Sequence, residues 1–468
     1  MDTVAVPTGA IADFAVIGGG PAGLFGAIAY AEAARAAAAS ATPAAGVNAA
    51  RVLIVERMPG PARKLLASGS GQCNISHAGS VQELLLRYAG SGKAGEAARF
   101  LKPALYGFDN DALQAWFGAR GLSFRAEPNG KIFPTTRKSR SVLDILLAEL
   151  RRLGIELITG ARCRSIAAEP EGFRLELECA GAQGEAPAPG DRDSAAAAGG
   201  GAGGSVHARA VLVAAGGASY PGTGSSGDGY SLTAALGLRV VDPRPALAPV
   251  YADDPTLASL SGLSFERAGL SLWREGRKHW EREGELLLTH KGVSGPLILD
   301  SSRDILPGDE LRLRFAMTGP EACEARIDES VRSSPKRLAK ALLCELGLPR
   351  SMAERFAALA GLAEAPAAAL TRESRRRLAG LAAAYPLRVA ALGGWEAAMA
   401  TAGGVTLAEL APKTMESRSI PGLYFAGEVL DYVGDTGGYN IQAAFSTGRL
   451  AGASAAEAAL RRAASAPR

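Results

Sequence analysis

The first clear pattern in the chain is an unbroken apolar run, Phe14-Ala15-Val16-Ile17. With no polar alternation, such a run predicts a strand of a parallel sheet, covered on both faces. An Ala-rich, helix-prone stretch follows from Ala22 through Ala39. The same apolar-run texture predicts strands at Arg51–Val55, Ala210–Gly217 and Leu423–Ala426, and a helix at Ala443–Ala464. Val142, Ile145, Leu146 and Leu153 recur at helical spacing, with Glu149 marking the polar face, so Ser139–Gly154 reads as an amphipathic helix. Strands are expected at Ile155–Ile158 and Phe173–Leu177, and Asn129-Gly130 between β-prone residues is a hairpin signal. Farther on the period changes to two: Leu311, Leu313 and Phe315 alternate with Arg312 and Arg314, a strand with one wet face. Leu270–Trp273 and Leu286–Thr289 read as further strands of the same antiparallel unit. Residues 321 to about 385 read as three helical pieces parted by Gly347-Leu348-Pro349, Gly361 and Pro386. Two stretches of low complexity, 36–50 and 180–205, read as a surface insertion and a hairpin tip.

Three glycines turn the first strand–helix pair into a chemical motif. Gly18, Gly20 and Gly23 have the G-x-G-x-x-G spacing, with Pro21 and Ala22 between them. In a dinucleotide site the first glycine permits the tight turn and the second lets the backbone approach a pyrophosphate. The third lets helix and strand pack closely, and the helix N-terminus supplies N–H groups to the phosphates. The spacing alone is weak, since it recurs at Gly199-Gly201-Gly204 and Gly222-Gly224-Gly227. Only the Gly18 occurrence has its strand directly before it and its helix directly after. Glu56, at the end of the second strand, is the expected acceptor for ribose hydroxyls. It lies farther along than the usual spacing of about 20 residues, and the insertion at 36–50 accounts for the excess.

Composition excludes several classes. The 468 residues carry 51 Lys+Arg against 47 Asp+Glu, which argues against a dedicated nucleic-acid binder. Five scattered cysteines without C-x-x-C suggest reduced thiols in a cytoplasmic protein, with no metal site and no disulfide framework. The N-terminal MDTVAVPTGA has no Lys or Arg ahead of its apolar run, which argues against a secretory signal, and no membrane span is expected. Over 325–377 there are 11 Lys+Arg and 6 Asp+Glu, read either as a solvated face or as a surface for an RNA backbone.

Beyond Glu56 and Arg57, the phrase RKLLASGSGQCNISH spans 63–77. Arg63 and Lys64 can neutralise phosphate, and the Ser/Gly run can present backbone N–H groups to a ligand. The phrase resembles the RKLLATGNGRCNLTN-type signature of the BaiN/RdsA-like (YhiN-type) FAD-dependent oxidoreductases. Further stretches are similar to that family: the strand ending Ala214-Ala215-Gly216-Gly217, the loop ASYPGTGSSGDG at 218–229, and GELLLTHKGVSGP at 284–296. The block GEVLDYVGDTGGYNIQAAFSTGRLAG at 427–452 is similar almost residue for residue.

The resemblance implies an α/β fold of glutathione-reductase-like flavoprotein type. A discontinuous Rossmann-like FAD-binding domain, 11–243 and 395–468, would be interrupted by an antiparallel, barrel-like β unit, 244–320, and a helical unit, 321–394. It implies FAD contacts from Gly18, Gly20, Pro21, Ala22, Gly23, Glu56, Arg57, Lys64, Ser68, Gly69, Gly71, Gln72, Cys73 and Asn74. The later contacts would be Ala215, Gly216, Gly427, Glu428, Asp435, Gly438, Tyr439, Asn440 and Ile441. The helix after Gly438 would point its N-terminus at the flavin pyrimidine. Some roles stay open. Cys73 is a redox group or a packed thiol, His290 is a catalytic proton donor or a turn residue, and Asp228 is a helix cap or a ligand. The reaction that the resemblance implies is an NAD(P)H-dependent reduction of an unsaturated bond, with uridine in ribosomal RNA among the candidate acceptors. The alternatives are a small-amine oxidase using dioxygen and a non-catalytic flavin sensor. NAD(P)H, if used, docks transiently on the open flavin face. The substrate, small molecule or RNA, and the oligomeric state stay undecided.

Overall fold

A computed structural model describes residues 11–40, 50–179 and 203–465. The chain divides into two units: residues up to 244 together with those from 400 onward, and residues 245–399.

In the first unit, strand β1 (Phe14–Ile17) runs straight into helix α1 (Pro21–Ser40). Strand β2 (Val52–Glu56), helix α2 (Arg63–Ala67), helix α3 (Ser139–Leu153) and strand β3 (Glu156–Thr159) follow. Next come β4 (Ala161–Glu169), β5 (Gly172–Cys179), β6 (Gly203–Ala208), β7 (Val211–Val213) and helix α4 (Asp228–Ala235). After the second unit come β8 (Ala400–Val405), β9 (Leu423–Phe425) and helix α5 (Tyr439–Ser465). A parallel sheet forms in the order β9-β7-β1-β2-β3. β1, β7 and β9 are wholly buried, as the unbroken apolar runs require. Strands β4, β5 and β6 form an antiparallel meander, with Gly203 opposite Glu178.

Helices α1 and α5 pack through small residues. A Cβ on Gly448 would lie 2.2 Å from the Ala22 carbonyl oxygen, and one on Gly452 would lie 2.0 Å from that of Gly26. Only glycine allows the two backbones to approach this closely.

The second unit is built on a seven-stranded antiparallel sheet. Its strand order is Tyr385–Arg388, Glu310–Arg314, Ser264–Arg274, Arg277–Thr289, Gly292–Ser294, Val250–Tyr251 and Ala391–Leu392. The period-2 stretch therefore does form a strand, with Leu311 and Leu313 buried and Arg312 and Arg314 half-buried. Four helices lie between, at Pro320–Ser333, Ala339–Glu345, Arg350–Leu359 and Arg372–Ala383. The expected β stretch and helical stretch share one core: Leu270 and Leu313 from strands sit in the same cluster as Leu342, Phe356 and Leu378 from helices. Two strands from beyond the helices, Tyr385–Arg388 and Ala391–Leu392, complete the sheet.

The structure differs from the sequence expectations at several places. Residues 36–40 continue α1 instead of opening an insertion, because alanine favours helix extension; 41–49 lie outside the described residues. Of the 180–205 stretch, residues 203–205 already belong to β6, and 180–202 lie outside the described residues. α5 begins four residues before the expected Ala443. The basic run of 325–377 is paired with acids of its own unit: Arg375 with Asp328, Arg376 with Glu324, Arg337 with Glu345 and Lys340 with Glu364. These pairs engage four of the 11 Lys+Arg, and the stretch keeps its excess of positive charge.

Candidate functional site

The glycine turn of the first unit has the geometry its spacing implies. Gly18 has φ +107°, and a Cβ there would lie 2.4 Å from the Ala214 carbonyl oxygen. A Cβ on Gly23 would lie 1.9 Å from the Gly18 carbonyl oxygen, so both positions require glycine. At Gly20 a Cβ would meet no atom within 4 Å, so the backbone faces open space where a phosphate can approach. Pro21 is the first residue of α1, where a missing N–H costs nothing, and the first-turn N–H groups beyond it have no intrahelical acceptor.

Glu56 sits beside this turn. One carboxylate oxygen accepts the Gly19 N–H at 2.7 Å, and the other accepts the Met58 N–H at 2.7 Å. Burial pushes its carboxyl above the ordinary value, against those N–H groups and the charges of Arg57 and Arg63. Glu56 therefore braces the turn.

Arg57 points to the loop before α4. Its guanidinium donates to Ser226 Oγ at 2.5 Å and to Asp228 at 3.2 Å. Arg162 of β4 holds the same Asp228 with a two-pronged contact at 2.9 and 2.7 Å. Asp228 is therefore not the helix cap; Gly227 holds that position, and Asp228 opens the first turn as an ion-pair partner. Burial raises the Asp228 carboxyl, but the hydrogen bonds from Arg162 and Ser226 and the Arg57 charge outweigh it, and the net shift is downward. A depressed carboxylate stabilises the fold above its unfolded pKa of about 3.9 and loses that contribution as pH falls through its folded value. Asp228→Asn is accordingly expected to cost about 2 kcal/mol at neutral pH, the scale of hydrogen bonds to charged groups. Thermal unfolding of both proteins across pH should show the gap closing below about pH 4; a gap constant with pH would contradict the ion-pair role.

The 63–77 phrase folds as α2, a short left-handed turn and an extended tail. Gly69 and Ser70 adopt left-handed conformations with φ 55° each, and Gly71 has φ +83°. The Ser68 hydroxyl donates to the Leu65 carbonyl at 2.7 Å, and Gln72 accepts from Arg137 at 3.3 Å. Cys73 is fully buried and its thiol is pushed up to about 12 by desolvation, against a hydrogen bond from Ser68. A thiol in that state stays protonated at neutral pH, which fits a packing role. Asn74 Oδ1 is buried and without a hydrogen-bond partner.

This tail meets the N-terminus of α5. Gly438 has φ +99°, and a Cβ there would lie 2.6 Å from the Ser76 carbonyl oxygen. Ser76 donates to buried Gln442 at 2.6 Å, and His77 stacks on Tyr439 with ring centroids 5.0 Å apart. Asn440 accepts the Gly434 N–H at 2.8 Å and donates to the Gly434 carbonyl at 2.9 Å, so its side chain closes the loop that leads into α5. The Asp435 N–H is bonded to the Arg87 carbonyl at 3.0 Å, and Ile441 is half-buried in the first turn of α5.

Glu428, just after β9, is the most heavily contacted carboxylate of the site. The Lys64 ammonium reaches its two oxygens at 3.0 and 2.8 Å. Ser219 Oγ donates at 3.1 Å and the Thr401 N–H at 2.9 Å. Thr401 Oγ1 in turn accepts the N–H groups of Ala218 and Ser219 at 2.9 and 3.2 Å, following Ala215 and half-buried Gly216 at the end of β7. Gly427, with φ +78°, donates its N–H to Thr447 Oγ1 at 3.0 Å. Ser219 lies in the 218–229 loop and Thr447 in the 427–452 block, but neither was singled out from the sequence, and Thr401 lies in no such phrase.

The turn at Gly18–Gly23, the open face at Gly20, the unpartnered Asn74 oxygen and the glycine-led start of α5 fit a bound dinucleotide. His290 belongs to the second unit, where it lies exposed in the turn between Arg277–Thr289 and Gly292–Ser294. Among the described residues, no cluster of His, Cys, Asp and Glu suits a metal ion, and no helix is long and apolar enough to cross a membrane.

Comparison with known proteins gives concordant results. The HI0933-like protein Rossmann domain matches residues 12–187 and 191–454. The chain is 27% identical over 436 residues to the ribosomal RNA dihydrouridine synthase of Escherichia coli strain K12, covering 93% of this chain and 96% of that one. It is 29% identical over 451 residues to the 3-dehydro-bile acid delta(4,6)-reductase of Clostridium scindens, covering 94% and 98%. It is 26% identical over 389 residues to the ribosomal RNA dihydrouridine synthase of Haemophilus influenzae, covering 82% and 87%.

Proposed function

Because the chain belongs to the HI0933-like Rossmann-domain family and is an FAD-dependent oxidoreductase, we propose that it is a reductase that moves a hydride from NAD(P)H to an unsaturated bond. The observation that carries this reading is the pair of relatives matched over more than nine-tenths of the chain. One is named a reductase, and dihydrouridine, named in the other, is uridine plus two hydrogens.

FAD, when bound, supplies a ring that accepts and releases a hydride. The protein's part is to seat it. The first-turn N–H groups of α1 would hold the pyrophosphate past Gly20, and Glu56 would take the ribose hydroxyls. Glu428 and Lys64 would serve the ribityl chain and the phosphates. The N-terminus of α5, after Gly438, would supply partial positive charge to favour the reduced ring. The buried Cys73 thiol takes no part in electron transfer. The Gly222-Gly224-Gly227 match offers no second nucleotide seat, because β7 ends well before it and a short turn at Pro221–Thr223 intervenes. NAD(P)H therefore docks transiently on the open flavin face.

Anaerobic addition of NADPH or NADH to the flavin-loaded protein is expected to bleach the flavin within seconds. Uridine-containing ribosomal RNA from a strain lacking the protein, and then small unsaturated ketones, should restore the colour. Bleaching by small amines with no response to either nucleotide would overturn the reductase reading in favour of the amine oxidase.

A further inference from the structure

Three segments far apart in the chain converge on the carboxylate of a fourth. Lys64 comes from α2, Ser219 from the loop after β7, Thr401 from β8 and Glu428 from the turn after β9. The arrangement is built to tight tolerances: a Cβ on Gly217 would lie 2.3 Å from Thr401 Oγ1 and 2.9 Å from Glu428 Oε1. The pair is partly shielded, with the Lys64 and Glu428 side chains 26% and 18% exposed.

The distribution of donors is uneven. Glu428 Oε1 receives Lys64, Ser219 and the Thr401 N–H, whereas Oε2 receives Lys64 alone. A carboxylate oxygen can accept two hydrogen bonds, so Oε2 keeps capacity for one more donor. A hydroxyl of a polyol chain is such a donor. The same ligand carries a pyrophosphate, and an unneutralised carboxylate in a partly shielded site would repel it strongly.

We propose that Lys64 is a positioning residue that makes Glu428 tolerable to a dianionic ligand. It cancels the carboxylate charge and holds its Oε1 edge, leaving Oε2 to take a hydroxyl of the ribityl chain. This rests on the reading that the first unit binds FAD, and it adds a division of labour within that site. Glu428 recognises the hydroxyl, and Lys64 removes the charge cost of having Glu428 there.

The test measures binding by apoprotein, through quenching of flavin fluorescence, and needs no turnover. Lys64→Met is expected to weaken FAD binding by about 100-fold, because it leaves a lone carboxylate facing the phosphates. Part of that loss should be recovered as salt rises, because screening relieves repulsion. Lys64→Met combined with Glu428→Gln is expected to bind within about tenfold of wild type, since no bare charge remains. Lys64→Arg should stay close to wild type. A double variant as weak as Lys64→Met, or a Lys64→Met loss insensitive to salt, would overturn the proposal in favour of a merely structural contact. If Lys64→Met does not fold, Glu428→Gln decides with ADP as the probe. With the ammonium unopposed it should bind ADP about tenfold more tightly than wild type, and equal or weaker binding would overturn the proposal. Failure of wild-type apoprotein to take up FAD at all would instead overturn the FAD reading itself, and the proposal with it.

Discussion

A Gly23→Val protein is expected to purify colourless. Even a single methyl at this position would lie 1.9 Å from the Gly18 carbonyl oxygen and 3.0 Å from Val16 Cγ1. Both contacts involve the end of β1 and the turn after it, so relief requires α1 to move away from the strand. The first-turn N–H groups then no longer converge on the open face at Gly20, and the phosphate seat is lost. Flavin content is expected to fall below about a tenth of wild type. The ratio of flavin to protein absorbance measures it, and circular dichroism establishes that the variant is folded. A folded Gly23→Val protein with full flavin would show that this turn is not the cofactor's seat.

The second large effect lies on the other side of α1. Gly452→Leu forces a side chain into a helix contact where a Cβ alone would lie 2.0 Å from the Gly26 carbonyl oxygen. Overpacking of a rigid contact costs roughly 1–3 kcal/mol for modest insertions, and a whole isobutyl group between two backbones sits at or beyond the upper end. About 3 kcal/mol corresponds to a melting temperature lowered by roughly 5 °C for a unit of this size. Gly380→Leu is the control. It also lies in a helix, Arg372–Ala383, but a Cβ there meets no atom within 4 Å, and its effect should be within about 0.5 kcal/mol of zero. Equal effects at the two sites would mean that the close approach of α1 and α5 is not what the glycines serve.

The parts of this protein that were legible in sequence are those where physics is local. β1, the turn at Gly18–Gly23 and the start of α1 follow one another without a gap, so periodicity and glycine spacing locate them. The Asn129-Gly130 hairpin is equally local: Phe124–Ala126 pairs antiparallel with Lys131–Pro134. What sequence alone did not reveal is the pairing of distant polar groups. Asp228 lies in the first turn of a helix, where an acidic residue ordinarily answers the helix dipole. Its actual partners, Arg57 and Arg162, are 171 and 66 residues away. The Asn440 amide pairs with Gly434, six residues back. The Lys64–Glu428 pair spans 364 residues, and no periodicity relates such positions. The strands Tyr385–Arg388 and Ala391–Leu392 were hidden for a different reason. They are short and sit beside a helix, and only the sheet edges they complete give them their identity.

The parallel sheet is closed at one side by β9, Leu423–Phe425, which pairs with β7, Val211–Val213. During synthesis these two strands leave the ribosome about 200 residues apart, an interval of roughly 10–40 s at ordinary elongation rates. All seven strands of the second unit are made within that interval, so it can fold while β7 still presents an unpaired edge. Thr401 is translated only after the second unit, and Glu428 and α5 only after β9, so the nascent chain carries a finished second unit and an unfinished nucleotide fold. On the proposed reading, flavin capture would be a terminal event of biogenesis. A polypeptide stalled or cleaved before residue 423 would hold an exposed strand edge and no means of closing it, and so be marked for aggregation or disposal.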